Sequence, residues 1–267
     1  MNSWIEEKKK AEKAATRPNA IEFEVWGDQA MFSDPLIKIG GESVSYPVPT
    51  YEALKGITKN IYWKPDIIWF VDAVRVMNPI RFYSTGMRLI KPLTGGNDLA
   101  NYTFLSNVRY QVRAHFEFNY NRPELENDWN ENKHYLLAKR YLSRGGKRNI
   151  FLGTTDCQAL VRPCRFGSGT SVYDNTGEIQ YGTMFHSFTY PDEAYSEETR
   201  GVLTRQFYAP VIKNGIITMP RPEECLTHEV IGEMAMKEFE NNRNCLGLED
   251  FDERLYEELA KEAALAG

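Results

Sequence analysis

The chain is expected to adopt an α+β fold: a ferredoxin-like (RRM-like) βαββαβ domain followed by a small antiparallel β-sheet. Three observations carry this expectation. Between residues 21 and 161 the apolar periodicity switches in the order strand, helix, strand, strand, helix, strand. After Phe166 the texture changes to short strands and glycine turns, with Gly167-Ser168-Gly169 and Asn175-Thr176-Gly177. Within that region Ala209 to Thr218 reads as a hairpin whose Asn214-Gly215 pair suits a type I′ turn.

Each element has its own justification. Ile21-Glu22-Phe23-Glu24-Val25 alternates apolar and polar, as a strand with one buried face does. Thr50 can cap a helix that runs to about Trp63, where Pro65 stops it. On that helix Leu54, Ile57 and Ile61 share a core face, while Tyr51, Lys55, Thr58 and Tyr62 form a second, polar-tipped stripe. Ile67 to Val76 is nearly continuous in apolar residues and reads as a central strand. Residues 80–106, with Gly86 and Gly95-Gly96, read as an irregular insertion. Val108 to Asn119 places Tyr110, Val112, Ala114, Phe116 and Phe118 on one face and Arg109, Gln111, Arg113, His115 and Glu117 on the other. Residues 128–143 form the second helix, and Ile150-Phe151-Leu152-Gly153 leads into the last strand of the unit, which continues to about Val161. The expected domains are a charged extension over 1–20, the ferredoxin-like domain over 21–166, a small antiparallel β domain over 167–222 and an acidic helical tail over 223–267.

Composition narrows the function. A chain of 267 residues with 42% hydrophobic and 13% aromatic content builds a sizeable core. No apolar run reaches the roughly 18 residues of a membrane span. The Lys/Glu-rich start has no secretory h-region, so a cytoplasmic location is expected. Cys157, Cys164, Cys225 and Cys245 include no C-x-x-C pair and read as reduced thiols. The net charge of −5 is unevenly spread: residues 223–267 carry −9 and residues 1–222 carry +4. A mildly basic body leaves room for an anion-binding face.

The motifs of phosphate loops, dinucleotide folds and zinc proteases are absent, and no Asp/Glu/His cluster has metal spacing. Metal-free acid–base chemistry without a cofactor is therefore expected. Asn130-Glu131-Asn132-Lys133-His134-Tyr135 opens the second helix, where free N–H groups and the helix dipole favour an anion. Lys133 offers a fixed charge there and His134 a group that titrates near neutrality. A solvated helix start is the plain alternative. His115, beside Arg113, is a second candidate, with an exposed strand residue as its alternative. His186 and His228 read as structural. Tyr62 ends the first helix, which can bring it toward Lys133-His134; its alternative is an aromatic covering the core edge. Arg144, Gly145, Gly146, Lys147 and Arg148 form a basic glycine turn suited to a phosphate, or merely a solvated turn. Arg75, Arg81, Arg88, Lys91, Arg109 and Arg113, with Tyr83 and Tyr102, can line an RNA track.

Several segments together resemble a known family. Ile21 to Asp28, Asp34-Pro35-Leu36 with Gly40-Gly41-Glu42, Tyr46 to Gly56, Ile61-Tyr62-Trp63-Lys64-Pro65, Tyr110 to Asn119, Lys133-His134-Tyr135, Phe151-Leu152-Gly153 and Phe166-Gly167-Ser168-Gly169 are similar to the type I-C CRISPR-associated Cas5d subunits of the RAMP superfamily. The likeness spans about residues 21–225, in order. It implies a metal-independent endoribonuclease that cuts precursor CRISPR RNA at the base of the repeat hairpin. It also implies retention of the crRNA 5′ handle inside Cascade, beside its backbone and large subunits, with target DNA met only through the complex. The family's catalytic tyrosine, lysine and histidine fall on Tyr62, Lys133 and His134. The resemblance thus selects His134 over His115. It leaves open which of Tyr62 and His134 is acid and which is base. A non-catalytic subunit that only binds the handle is the competing expectation, and a general single-stranded RNA binder a more distant one.

Overall fold

Residue 62 marks a change of direction that sets the geometry of the whole site. In the computed structural model, which describes residues 19–33, 43–90 and 95–236, the first helix α1 spans Tyr51–Ile61 and the chain leaves it at Tyr62 in an extended conformation. The Thr50 hydroxyl accepts from the Ala53 amide at 3.2 Å, so the expected cap forms. The helix is buried on two sides, however. Leu54, Ile57 and Ile61 enter the core as expected, and Tyr51, Lys55 and Thr58 of the polar-tipped stripe are buried as well. The second burial comes from a separate sheet that lies against α1.

The main sheet begins with β1 (Ile21–Ala30), β2 (Ser43–Val44), β3 (Ile67–Val76), β4 (Phe82–Ile90) and β5 (Asn97–Phe118). Helix α2 (Glu131–Leu142) follows, then β6 (Ile150–Phe151) and β7 (Gln158–Pro163). The later strands are β8 (Glu178–Gln180), β9 (Met184–Thr189), β10 (Val202–Tyr208), β11 (Val211–Lys213), β12 (Ile216–Thr218) and β13 (Thr227–Glu233). The strand order is β6-β7-β1-β5-β3-β12-β11-β8, with β2 and β4 also paired to β5. Strands β7, β1, β5 and β3 pair antiparallel, with Phe23 opposite both Val112 and Pro163, and Trp69 opposite Phe116. Both helices cover the face that carries Phe23, Trp69 and Phe116, and their apolar residues share one continuous core. The result is a mixed α/β architecture with antiparallel sheets and few helices. These elements belong to one compact unit that ends at Met234.

Three expectations are corrected. The 80–106 insertion is not irregular: β4 and the first half of β5 form a ribbon from Phe82 opposite Leu105 to Ile90 opposite Asn97. Gly86, Ser84, Thr85 and Asn101 interrupt the apolar alternation there, yet the backbone pairing needs no apolar side chain. Residues 167–222 do not make one small sheet. Strands β8, β11 and β12 extend the main sheet, through Ile217 opposite Val74, whereas β9 and β10 form a second sheet with β13. That last strand falls inside the expected helical tail, since Thr227–Glu233 finds a partner in β10. The expected helix over 248–264, the 1–18 extension and Lys91 lie outside the described residues. The hairpin at Asn214-Gly215 forms as expected, with φ of 48° and 82°.

Two contacts generate predictions. Gly153 has φ of +96°, and a Cβ there would sit 1.8 Å from the Met31 carbonyl oxygen. Gly153→Ala is expected to destabilise the protein by at least about 1–3 kcal/mol, measured by urea unfolding. The Glu193 carboxylate bonds the buried Lys55 ammonium and that of Lys59, the latter at 2.8 Å, fastening α1 from the side opposite the main sheet. Burial alone raises the Glu193 carboxyl, but the Lys55 and Lys59 charges outweigh it and hold it at about 2. Its stabilising contribution is present above the ordinary carboxylate value near 4.5 and is lost as the pH falls toward 2. Glu193→Gln leaves Lys55 buried without its counter-ion and is expected to cost about 3–5 kcal/mol at neutral pH, with a smaller difference from the intact protein on acidification.

Candidate active site

The site forms where the end of α1 meets the start of α2. The Tyr62 amide still donates to the Thr58 carbonyl at 3.1 Å, and the Tyr62 carbonyl accepts from Trp69 Nε1 at 2.7 Å. Both backbone groups are thereby held, and the extended φ of −159° turns the phenol toward α2 rather than along the helix stripe. Its ring stacks on Tyr141 with centroids 5.9 Å apart, and its hydroxyl lies 2.9 Å from His134 Nδ1. Tyr62 is 1% exposed and His134 0%.

The imidazole of His134 sits edge-on to Phe116 and Phe118 of β5. Its Nε2 lies 3.1 Å from the Asp128 carbonyl oxygen and 2.8 Å from Asp66 Oδ2. Both neighbours are acceptors, which assigns the proton to Nε2 and leaves Nδ1 to accept from the Tyr62 hydroxyl. Burial raises the Tyr62 phenol to about 12, helped by the negative charges of Asp66 and Asp128 and by the neighbouring Tyr141. The phenol is therefore protonated throughout the neutral range. It can donate a hydrogen bond but is a poor base.

Lys133 points the other way. The Asn130 side chain caps α2 by accepting from the Lys133 amide at 3.0 Å. The Lys133 ammonium, on a side chain 44% exposed, meets Asp128 Oδ1 at 2.9 Å. That hydrogen bond and charge hold the Asp128 carboxyl below its ordinary range. An exposed pair of this kind is weak and exchanges readily for another anion. Tyr62 and His134 are thus in contact, while Lys133 stands on the rim and touches neither.

The basic turn after α2 adjoins the same site. Gly145 and Gly146 have φ of 86° and 102°. Their amides return to the Leu142 and Tyr141 carbonyls, while those of Lys147 and Arg148 bond the Asn60 carbonyl at the end of α1. These N–H groups cap the two helices and are not left for a phosphate. The side chains of Arg144, Lys147 and Arg148 belong to exposed residues, and the Lys147 ammonium lies 5.8 Å from the Tyr141 ring centre.

The remaining basic candidates are not gathered there. Arg75, 4% exposed, is consumed by the Ser168 and Gly169 carbonyls, Gln111 and Asp174. His115 is buried, stacked on Phe70 and bonded to Asp72 at 2.9 Å, so it is not an exposed strand residue. Arg113 pairs with Glu22 and covers the Phe166 ring. Arg109 pairs with Glu24, which also holds Arg162. These groups occupy the face of β1, β3, β5 and β7 opposite His134. Arg81 and Arg88 are exposed at the base and along the ribbon. Sequence reasoning missed Asp66, Asp128 and Tyr141. Only Tyr141 carried a signal, since it lies seven residues after His134 on the same helix face.

Comparison with known proteins gives the family of the chain. The Cas5d family model, described as CRISPR-associated protein (Cas_Cas5), matches residues 20–220, which include every residue of the site. The chain belongs to this family. A CRISPR pre-crRNA endoribonuclease Cas5d from Mannheimia succiniciproducens is 27% identical over 76% of this chain and 95% of its own length. One from Thermus thermophilus is 34% identical over 34% of this chain and 37% of its own. Two solved structures each give a TM-score of 0.65 over 79% of this chain and 96% of theirs: a CRISPR-associated protein at 31% identity, and SMU1763c from Streptococcus mutans, described as functionally uncharacterized, at 33%.

The Tyr62–His134 contact makes a prediction independent of activity. Tyr62→Phe leaves the buried Nδ1 without a donor and is expected to cost about 1–3 kcal/mol in urea unfolding.

Proposed function

We propose that this chain is a metal-independent endoribonuclease. It cuts CRISPR repeat RNA at the base of its hairpin and stays on the crRNA 5′ handle as a Cascade subunit. The single observation that carries the reading is the 2.9 Å bond between the Tyr62 hydroxyl and His134 Nδ1 at the start of a helix bearing Lys133. The names of the two curated relatives support the substrate class.

In this reading the ribose 2′-hydroxyl takes the place of Tyr62 at Nδ1 and His134 removes its proton. The oxygen attacks the adjacent phosphorus, giving a 2′,3′-cyclic phosphate and a 5′-hydroxyl. Tyr62, held protonated, donates a hydrogen bond to the reacting oxygens. Lys133 leaves Asp128 for the phosphate and stabilises the charge of the transition state, with the positive end of α2 behind it. RNA reaches Nδ1 as the Tyr62 ring, whose hydroxyl covers that nitrogen, shifts aside. Arg144, Lys147 and Arg148 carry the flanking phosphates, and Arg81, Arg88, Arg109 and Arg113 a more distant part of the RNA.

The platform for this chemistry is a ferredoxin-like βαββαβ core formed by β1, α1, β3, β5, α2 and β7. On the same reading residues 21–166 are the nuclease domain and 167–222 its addition, flanked by the 1–20 extension and the 223–267 tail. The protein works in the cytoplasm, in contact with the backbone and large subunits. Target DNA is met only through the complex. No helix among the described residues is long and apolar enough to cross a membrane. The complete burial of His134 favours one second reading, a non-catalytic subunit that binds the handle.

The test is cleavage of a labelled repeat hairpin RNA in EDTA. The intact protein is expected to cut at the hairpin base. His134→Ala is expected to lose about 10²- to 10⁴-fold in rate, while His115→Ala keeps cutting. A 2′-deoxy nucleotide at the cut site is expected to abolish cleavage. Tight binding without cutting by the intact protein selects the scaffold reading instead.

A further inference from the structure

The buried carboxylate of Asp66 has no place in the chemistry above. Asp66 is 3% exposed, and its Oδ2 has no hydrogen-bond donor aligned on it. Yet that oxygen lies only 2.8 Å from His134 Nε2. The two facts are consistent. The single Nε2–H is aimed at the Asp128 carbonyl, 3.1 Å away, so Asp66 stands in contact with the ring nitrogen without receiving its proton. A carboxylate oxygen taken out of water without a donor is costly, and folding favours an arrangement that removes it. Here the position is fixed from both sides. The Asp66 carbonyl accepts from the Asn119 amide at 2.9 Å, and β3 begins at the next residue.

We propose that Asp66 is the positioning residue of this site, holding the Nε2–H tautomer of His134 and stabilising the imidazolium formed during cleavage. The inference rests on the nuclease reading. The negative oxygen beside Nε2 disfavours a bare lone pair on that nitrogen, so it favours the Nε2–H form while that proton stays aimed at the Asp128 carbonyl. The proton of the 2′-hydroxyl then passes to Nδ1, and that oxygen's electron pair forms the new bond to phosphorus. The bond to the 5′-oxygen breaks with its pair on oxygen, which takes a proton from water. The positive ring that results faces the Asp66 carboxylate. The charged or titratable groups around His134 are Asp66 before β3, Tyr62 at the end of α1, Asp128 before α2, and Lys133 and Tyr141 on α2. Phe116 and Phe118 close the β5 side. Asp66 is thus the one carboxylate among these whose oxygen touches the ring.

The experiment has two arms on the full chain. The first follows the imidazole nitrogens of His134 by NMR across pH in the free protein, with His134→Ala assigning the signals. The second measures single-turnover cleavage of the repeat hairpin in EDTA over the same pH range, with RNA affinity measured separately. Asp66→Asn is expected to move the His134 titration to lower pH and to shift the limb of the pH–rate profile that belongs to His134 in the same direction. The rate falls on the order of 10²-fold, less than loss of the base itself, with RNA affinity unchanged. Asp66→Glu recovers part of the rate, and Asp66→Ser replaces Asp66→Asn if the latter does not fold. An unmoved His134 titration overturns the proposal. So does a rate loss that follows RNA affinity and melting temperature with the pH limb in place, because that is a packing defect. If the intact protein does not cut, the nuclease reading fails. The NMR arm still decides whether Asp66 governs His134.

Discussion

The hydrogen bond between Tyr62 and His134 ties the residue that caps the end of one helix to the first turn of the other. Much else in the molecule serves to bring those two side chains to the same point. Tyr62 reaches His134 because its backbone is pinned at both ends, by Thr58 behind and by the Trp69 indole ahead. Trp69 is itself fixed in β3 opposite Phe116, whose ring is one wall of the His134 pocket. The glycine turn after α2 then closes the loop, returning the amides of Lys147 and Arg148 to the end of α1. Helix ends carry unsatisfied backbone groups, and here the one turn after α2 supplies amides to the last carbonyls of both helices.

The two faces of the main sheet do different work. One packs aromatic and aliphatic residues under α1 and α2. The other carries charges in alternating sign across strands: Glu22 with Arg113, and Glu24 with Arg109 and Arg162. Desolvation raises the Glu24 carboxyl, but its two arginines hold it below the ordinary range. A strand residue on this face reads as polar and free in one dimension, although its charge is already matched by the neighbouring strand. Arg75 and His115 show this most clearly, since both are buried among partners.

Helix α1 is held from two directions, so its polar-tipped stripe is buried as well as its apolar one. The second sheet and the turn at Pro191–Glu193 cover Tyr51, Lys55 and Thr58. The His186 ring stacks on Tyr51, and burial pushes its imidazole down to about 3, so it is neutral in the folded protein. The same covering anchors the helix whose end supplies Tyr62.

Local chemistry made much of this legible. Periodicity placed β1, α1, β3, the second half of β5 and α2, because a half-buried strand or helix repeats its apolar residues at the period of its backbone; the one strand expected from Ile150 to about Val161 is instead two, β6 and β7, paired antiparallel. Asn214-Gly215 declared its turn, because both positions need positive φ. The β4–β5 ribbon and β13 escaped, because their pairing is a backbone property that glycine and polar residues disguise. The sequence by itself determined the alternation of the first strands and helices, the family likeness and the residue types Tyr62, Lys133 and His134. Only the tertiary structure decided that Tyr62 and His134 touch while Lys133 faces water, and that Asp66, 68 positions before His134, stands against its ring. Contacts across that separation depend on how helices and strands pack in three dimensions, and no local periodicity encodes them.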